Sequence, residues 1–296
     1  MKATVATLAV AAIGGHAWRA EPPLPLPRTE VTAALAGHEI LVAGGFLADG
    51  SSTARTDLYD PVRRAWRGGP DLPEAVNHAA AASLDGTAYV AGGYAAGGPT
   101  RTAAVLADDE WRLLPPLPAP RAAAAAAAVG GRLYVVGGVA AAGLAQRMLA
   151  YDPRRQRWSS LPGPTPRQHL AAAVLGGRIY AIAGRTAGAD TNLRIVESWA
   201  PPERSWRREP PLPEAWGGTG AATIGNTIVS AGGESPAGTR ADVFALDRGA
   251  TAWRRLPDLP TPRHGLGVVA FAGRVYAIAG GPQPGLTVSG ACESLG

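Results

Sequence analysis

Residues 158–184, WSSLPGPTPRQHLAAAVLGGRIYAIAG, contain most parts of a unit that recurs along the chain. A strand ends near Trp158, a proline-rich turn follows, and a run of small residues leads through two glycines into the apolar run RIYAI. Short runs rich in Val, Ile and Tyr and bounded by glycine are typical of β-strands. The stretch therefore predicts a hairpin of one small-residue strand and one apolar strand, between two loops.

Two markers recur in step, six times each, along the chain. The tryptophans are Trp18, Trp66, Trp111, Trp158, Trp206 and Trp253. The first members of the small-residue doublet that ends each apolar strand are Gly44, Gly92, Gly137, Ala183, Gly232 and Ala279. Each doublet follows its tryptophan by 26 residues, or by 25 in one unit. A repeat of this length with several strand runs fits one four-stranded blade of a β-propeller.

The two ends of the chain complement each other. In the other units three strands precede the tryptophan strand, but nothing equivalent precedes Trp18. Residues 261–296 supply three strand runs and no tryptophan. Pairing of the two ends would close the ring and remove the open sheet edges. We therefore predict an all-β, six-bladed propeller of four-stranded antiparallel blades over residues 16–296. The expected blades are blade 1, 28–68; blade 2, 76–113; blade 3, 121–160; blade 4, 167–208; blade 5, 216–255; and blade 6, 263–296 plus 16–20.

The innermost strand of each blade is expected to carry small side chains. Local propensity favours helix for the alanine run 122–128. Its place in the repeat predicts the innermost strand instead, where small residues let the blades converge on the axis.

The order W-x-x-L-P-x-x-P-R, small residues, G-x-x-Y-x-x-G-G and Y-D-P resembles the kelch repeat. The resemblance covers essentially residues 16–296 and implies a six-bladed kelch propeller. Propellers carry many activities, so the resemblance indicates the fold and leaves the ligand open. In a kelch propeller the loops from fourth to first strands and from second to third strands share one face, where a site is expected.

Composition limits the partners and the compartment. The net charge of +5 is carried almost wholly by arginine. Arginine pairs beside the tryptophan strands are interpreted as protection of exposed sheet edges, with an anionic partner as the alternative. We expect a monomer with no nucleic-acid partner and no membrane insertion.

Residues 1–17 resemble a weak secretory signal cleaved near residues 15–17 or form an N-terminal tail. A secreted or periplasmic protein is therefore predicted, with a cytoplasmic one as alternative. The single Cys292 excludes an internal disulfide.

Two rings of loop residues follow from the register. The first ring starts the inner strands, at Arg28, Val76, Arg121, Arg167, Trp216 and Arg263, and two residues later at Glu30, His78, Ala123, His169, Gly218 and Gly265. The second ring follows the doublets, at Phe46, Tyr94, Val139, Arg185, Glu234 and Gly281. Positions that break the repeat are the more informative about function.

The predicted ligand-binding residues come from both rings. They are Arg185, Glu234, His169, His78, Glu30, Tyr94, Phe46, Trp216, Arg121, Arg167 and Arg263. Arginine offers paired donors for carboxylates, and the aromatic rings offer flat faces. The four equivalent arginines also fit hydrogen bonds to neighbouring turns, and Arg185 with Glu234 also fits a mutual salt bridge.

Metal and cofactor binding are not predicted. Glu30, His78 and His169 could form a metal cluster, but no short ligand spacing supports one. No phosphate-binding glycine loop, nucleophile elbow or zinc motif occurs in the sequence.

Three functions remain open. The leading interpretation is a binding propeller that recognises a glycan, peptide or acidic small molecule at the channel mouth. The chain also resembles bacterial six-bladed kelch proteins that act as exported sugar mutarotases, for which Glu234 and His169 would be the acid and base and Arg185 would hold a carboxylate. The third interpretation is a protein-interaction scaffold that uses the arginine-rich rim. Galactose oxidase activity is not expected, because the lone Cys292 lies in the closing strand.

Overall fold

The computed structural model describes residues 17–296, which form six four-stranded antiparallel sheets and three two-stranded ones. The first strands of the six sheets contact one another in a closed circle, so the sheets stand as blades around a central channel. The single 3-10 turn Ala189–Thr191 is the one helical element in this range. The prediction of an all-β, six-bladed propeller is therefore confirmed.

The strands of each blade are given from the channel outward. Blade 1 contains Thr32–Ala36, Glu39–Ala43, Thr56–Asp60 and Ala65–Gly68. Blade 2 contains Ala80–Leu84, Thr87–Ala91, Ala103–Ala107 and Glu110–Leu113. Blade 3 contains Ala125–Val129, Arg132–Val136, Arg147–Asp152 and Arg157–Pro162. Blade 4 contains Ala171–Leu175, Arg178–Ile182, Val196–Trp199 and Arg207–Glu209. Blade 5 contains Gly220–Ile224, Thr227–Ala231, Val243–Asp247 and Arg254–Leu256. Blade 6 contains Gly267–Phe271, Arg274–Ile278, Cys292–Leu295 and Arg19–Ala20.

Three short hairpins extend the loops between second and third strands. They are Tyr94–Ala95 with Gly98–Pro99, Val139–Ala140 with Gly143–Leu144, and Glu234–Ser235 with Gly238–Thr239. The second-ring residues therefore begin hairpins in blades 2, 3 and 5.

The later part of the alanine run of blade 3, from residue 125, is a strand, as its repeat position predicts, whereas residues 122–124 precede the strand. Ala125–Val129 pairs antiparallel with Arg132–Val136, and Ala127 faces Tyr134. Sheet pairing and the crowding at the axis override the helical propensity of alanine.

A ring of tryptophan hydrogen bonds joins neighbouring blades. The indole N–H of each repeat tryptophan donates to the carbonyl of the proline that lies four residues after the preceding tryptophan. The pairs are Trp66–Pro22, Trp111–Pro70, Trp158–Pro115, Trp206–Pro162, Trp253–Pro210 and Trp18–Pro257, at 2.8–3.0 Å. The last pair crosses the chain ends, so the interaction closes the circle.

The two termini share blade 6, as predicted. Arg19 pairs with Ser294 and Ala20 with Glu293. Next to this strand the buried carboxylate of Glu21 accepts hydrogen bonds from the Ser294 hydroxyl at 2.6 Å and from the Tyr59 hydroxyl at 2.9 Å. Since Tyr59 lies in blade 1, Glu21 fastens the closing blade to its neighbour.

The predicted signal sequence and most of its cleavage site lie outside the described residues. Between residues 17 and 296, no helix has the length and apolar character needed to cross a membrane.

Candidate functional site

A ring of backbone hydrogen bonds surrounds one end of the channel. We call it the collar, and its residues are Glu30, His78, Ala123, His169, Gly218 and Gly265. All six have left-handed backbone, with φ between 49° and 69°. In blades 2–6 the N–H of each collar residue donates to the carbonyl of the collar residue before it at 2.9–3.0 Å, and Val31 N–H closes the ring onto Gly265 at 3.3 Å.

Three collar side chains meet at the axis. His78 Nε2 lies 3.1 Å from Glu30 Oε2 and 3.0 Å from His169 Nε2. Across these three residues, one nitrogen or oxygen from each lies within 4.8 Å of the others. The collar thus brings together Glu30, His78 and His169, which the sequence places in three different blades.

His264 completes this cluster and was not predicted. Its Nδ1 lies 3.1 Å from Glu30 Oε1, and its Nε2 lies 3.1 Å from the carbonyls of Gln283 and Gly285. His264 stands one residue after the repeat arginine. That position holds Thr29, Asn77, Ala122, Gln168 and Gly217 in the other blades, so no regular pattern marks it as unusual.

Burial and mutual contact set the protonation of the cluster. Burial lowers the pKa of His78, and burial together with His78 lowers the pKa of His169 to about 3. Burial would raise the pKa of Glu30, but the neighbouring histidines lower it well below its ordinary value. Burial likewise opposes the charged form of His264, but the hydrogen bond and charge of Glu30 outweigh it and raise the pKa of His264. Near neutral pH the cluster therefore holds an ionised Glu30 and neutral His78 and His169.

Arg185 and Glu234 form an ion pair between blades 4 and 5. Arg185 Nη1 lies 2.5 Å from Glu234 Oε1, and the two side chains are 12% and 7% exposed. The sequence left open whether these residues pair with each other or contact a ligand, and the structure shows that they pair. Glu234 Oε2 also lies 4.0 Å from His264 Nδ1, so the pair adjoins the collar cluster.

Asn192 supports this pair and was also not predicted. Its side-chain amide donates to the Glu234 carbonyl at 2.6 Å. Asn192 lies in the loop between the second and third strands of blade 4, eight residues beyond the glycine of the doublet, where the loops vary too much in length for comparison between blades.

Two aromatic rings enclose His78. Phe46 and Tyr94 approach it edge-on, with ring centroids 5.8 and 5.6 Å away. Both predicted aromatic residues therefore lie beside the cluster, and both remain partly exposed.

The repeat arginines do not line the mouth, which corrects part of the predicted site. Arg167 and Arg263 have fully buried side chains and form ion pairs with Glu197 at 2.6 Å and Glu293 at 2.8 Å. Arg121 is 3% exposed and donates to the Gly137 carbonyl. The guanidinium of each of these arginines donates hydrogen bonds to carbonyl or carboxylate groups of the second and third strands or adjoining loops, mostly within its own blade.

Trp216 is also unavailable to a ligand, contrary to the prediction. It is 1% exposed and stacks on Phe244 with ring centroids 5.3 Å apart. Trp216 occupies the position of the repeat arginine, and Phe244 lies in the third strand, where other blades place the carboxylate. An aromatic pair thus replaces a buried ion pair in blade 5.

The channel behind the collar is narrow. The cavity there is about 130 Å³ and is lined by the collar and the small residues that begin the inner strands. Pockets for drug-sized molecules are typically 300–1,000 Å³. The cavity therefore suits an ion or a few waters, and a larger ligand would meet the cluster from the loop face.

Comparisons with known proteins agree with the fold. A family model described as the KLHDC2/KLHL20/DRC7 Kelch-repeats domain matches residues 7–184, and one described as the Kelch motif matches residues 166–213. "Kelch-like protein terF" of Aspergillus terreus (strain NIH 2624 / FGSC A1156) is 33% identical over 153 residues, which are 50% of this chain and 33% of that protein. The chain thus matches about a third of that relative's length. A solved structure described as "Structure of YjhT" has a TM-score of 0.78 at 17% identity and covers 92% of this chain and 95% of that chain. At this identity the likeness concerns the fold.

Proposed function

Since the chain belongs to the kelch-repeat family, whose first model matches more than half of it, we propose that it is a recognition propeller that binds a carboxylate-bearing polar ligand at the channel mouth. The kelch fold favours a binding role, and the finer assignment depends on the side chains around the collar. The ligand class is a glycan with an acidic sugar, an acidic small molecule or the carboxyl end of a peptide.

One observation carries the proposal, namely that three buried polar atoms without partners lie close to the Arg185–Glu234 pair and the collar cluster. They are Arg185 Nε, Asn192 Oδ1 and His169 Nδ1, out of eleven such atoms in the described part of the chain. A buried polar atom without a partner costs about 1–3 kcal/mol. A bound polar group that met these atoms would offset that cost.

Arg185 is the residue best suited to hold a carboxylate. Its guanidinium carries five N–H donors, and Glu234 takes one of them and fixes its position. A carboxylate pairs with the remaining donors through charge-assisted hydrogen bonds. Phe46 and Tyr94 provide apolar edges beside the cluster.

The mutarotase alternative has weaker support from the geometry. Glu234 pairs with Arg185, whereas His169 contacts His78, so the two candidate groups have different partners. The low pKa of His169 also makes it a poor general acid near neutral pH. NMR of anomer exchange in common sugars tests this alternative, and acceleration that is lost in Glu234→Gln would favour it.

Calorimetry with ligand pairs that differ in one carboxylate tests the proposal. Galacturonate is compared with galactose, and a short peptide with its C-terminal amide. We expect binding only for an acidic member, and the preference between the pairs separates a glycan from a peptide ligand. Arg185→Ala should weaken binding at least about tenfold, because a hydrogen bond to a charged group contributes about 1.5–3 kcal/mol.

A matched control is Arg154→Ala, on an exposed outer turn of blade 3. This variant loses the same charge far from the mouth, so its affinity should equal that of the natural chain. Equal binding of acidic and neutral members, or an Arg185→Ala variant that binds as well as Arg154→Ala, would contradict the proposal.

A further inference from the structure

We propose that Glu30, His78 and His169 bind one divalent transition-metal ion at the propeller axis, with its other coordination positions open to water or to a ligand group. The site shares His169 with the proposed ligand site but needs neither Arg185 nor the carboxylate ligand, so metal binding is tested without that ligand. His264 and Asn77 orient two of the three metal-binding side chains.

The donor atoms are spaced as in a metal centre. His78 Nε2 lies 3.1 Å from Glu30 Oε2 and 3.0 Å from His169 Nε2, and the set lies within 4.8 Å. Ligand atoms about 2.0–2.1 Å from a tetrahedral zinc ion are about 3.3 Å apart. Small side-chain movements would therefore bring all three donors to one ion. Two histidines and one carboxylate are a donor set that zinc and iron(II) accept.

The hydrogen bond from Asn77 sets the tautomer of His78. Asn77 Nδ2 donates to the Ser52 hydroxyl at 2.7 Å and to the Tyr94 carbonyl at 3.4 Å, so its Oδ1 faces His78 Nδ1 at 2.5 Å. An amide oxygen only accepts, and His78 therefore carries its proton on Nδ1. A ring that carries its proton there keeps Nε2 as the nitrogen whose lone pair can bind a metal.

The three donor atoms face one another at the axis. His78 Nε2 has Glu30 Oε2 and His169 Nε2 as its neighbours. One metal ion placed among them would accept a lone pair from each of the three side chains.

The surrounding structure is shaped to hold Glu30 in place. Its second oxygen, Oε1, contacts His264 Nδ1 at 3.1 Å. A Cβ on Gly265 would lie 2.6 Å from the Glu30 carboxyl group, so glycine makes room for it. Such outer contacts fix the orientation of metal ligands.

The collar backbone argues against a merely structural role for the three side chains. Left-handed φ is unfavourable for residues other than glycine, yet Glu30, His78 and His169 adopt φ of 51–53°. Blades 5 and 6 build the same collar with glycine, so the fold itself does not require these side chains.

Metal titration of the chelator-treated full chain tests the site. Zn²⁺ binding is followed by calorimetry and Co²⁺ binding by visible absorption. We expect one ion per chain and a Co²⁺ spectrum typical of nitrogen and oxygen ligands. His169→Ala should lower the affinity at least about 100-fold, and Asn77→Ala about 10–100-fold because it acts through His78.

The controls come from the chain itself. Ala123 holds the collar position in blade 3 with φ of 49°, so His169→Ala introduces a residue that the collar already accepts. His38→Ala removes a histidine from an exposed turn and should leave binding unchanged. If His169→Ala lost its circular dichroism spectrum, Glu30→Gln would serve as an isosteric substitute that should abolish the Co²⁺ absorption. Absence of stoichiometric binding, or binding unchanged in a folded His169→Ala or Glu30→Gln variant, would overturn the proposal.

Discussion

Replacing Glu21 with glutamine should weaken the closure of the propeller. The Glu21 carboxylate accepts hydrogen bonds from Ser294 in blade 6, from Tyr59 in blade 1 and from the arginines Arg19 and Arg64. Glutamine keeps the shape of the side chain but removes the charge from all four contacts. The change therefore weakens the attachment of the N-terminal strand Arg19–Ala20 to the C-terminal strand Cys292–Leu295.

The pKa of Glu21 gives the size of the effect. Burial would raise this pKa, but the hydrogen bonds from Ser294, Arg19, Arg64 and Tyr59 outweigh it and lower the pKa from 4.5 to about 2. A shift of this size corresponds to about 3 kcal/mol. The side chains of Arg19 and Arg64 are 47% and 45% exposed, and solvent screening of these partners reduces the expected loss to about 2 kcal/mol.

The effect should depend on pH in one direction. Since the folded pKa lies below the unfolded one, the stabilisation is fully present above about pH 4.5 and disappears as pH falls toward 2. The difference between the natural chain and Glu21→Gln should therefore be full at pH 7 and less than half as large at pH 3.

Urea unfolding followed by the fluorescence of the eight tryptophans measures this difference. Glu110→Gln, an isosteric change at an exposed strand position, is the matched control and should change the free energy of unfolding by less than about 0.5 kcal/mol. A Glu21→Gln loss no larger than that of the control, or a loss that is the same at pH 3 and pH 7, would refute the reasoning.

Three further predictions concern the blades and the collar. Arg167→Met removes the close ion-pair partner of the buried Glu197 carboxylate, which keeps its hydrogen bonds from Thr165 and a 3.8 Å contact with Arg208, and should cost about 3 kcal/mol. The double change with Glu197→Leu should cost less, and urea unfolding that finds the double variant less stable would contradict this. Gly265→Ala should lower the melting temperature more than Gly218→Ala, because φ is +60° and +69° in the two but the added Cβ meets an atom at 2.6 Å in the first and only at 3.4 Å in the second; equal shifts would count against the crowding argument. Deletion of residues 1–20 removes the outer strand of blade 6 and should cause unfolding or aggregation; a melting curve like that of the full chain would disprove the role of this strand.

The sequence is sufficient for the fold because its two markers keep step around the whole ring. The tryptophans mark the outermost strand of each blade, and the small-residue doublets mark the end of its second strand. Trp18, which has no preceding strands of its own, indicates that the two chain ends share one blade. The collar residues Glu30, His78 and His169 were found for the same reason, since the register places them at one repeat position where the other blades hold alanine or glycine.

The sequence could not separate pocket residues from buried ones at the repeat arginine. Arg167 and Trp216 occupy one register position, and each packs against a third-strand side chain about 30 residues later, Glu197 and Phe244. The sequence does not show which third-strand residue lies opposite the arginine position, so these buried pairs were found only in the structure. His264 was missed because its repeat position holds a different residue in every blade, so the sequence alone does not distinguish it.

The most direct test of the central claim is a crystal structure of the full chain grown with the acidic probe, galacturonate or the short peptide, that binds in calorimetry. The proposal predicts electron density for this probe on the loop face of the collar, with its carboxylate within hydrogen-bond distance of Arg185. Clear density for the probe elsewhere on the propeller, with the Arg185–Glu234 pair unchanged, would contradict it.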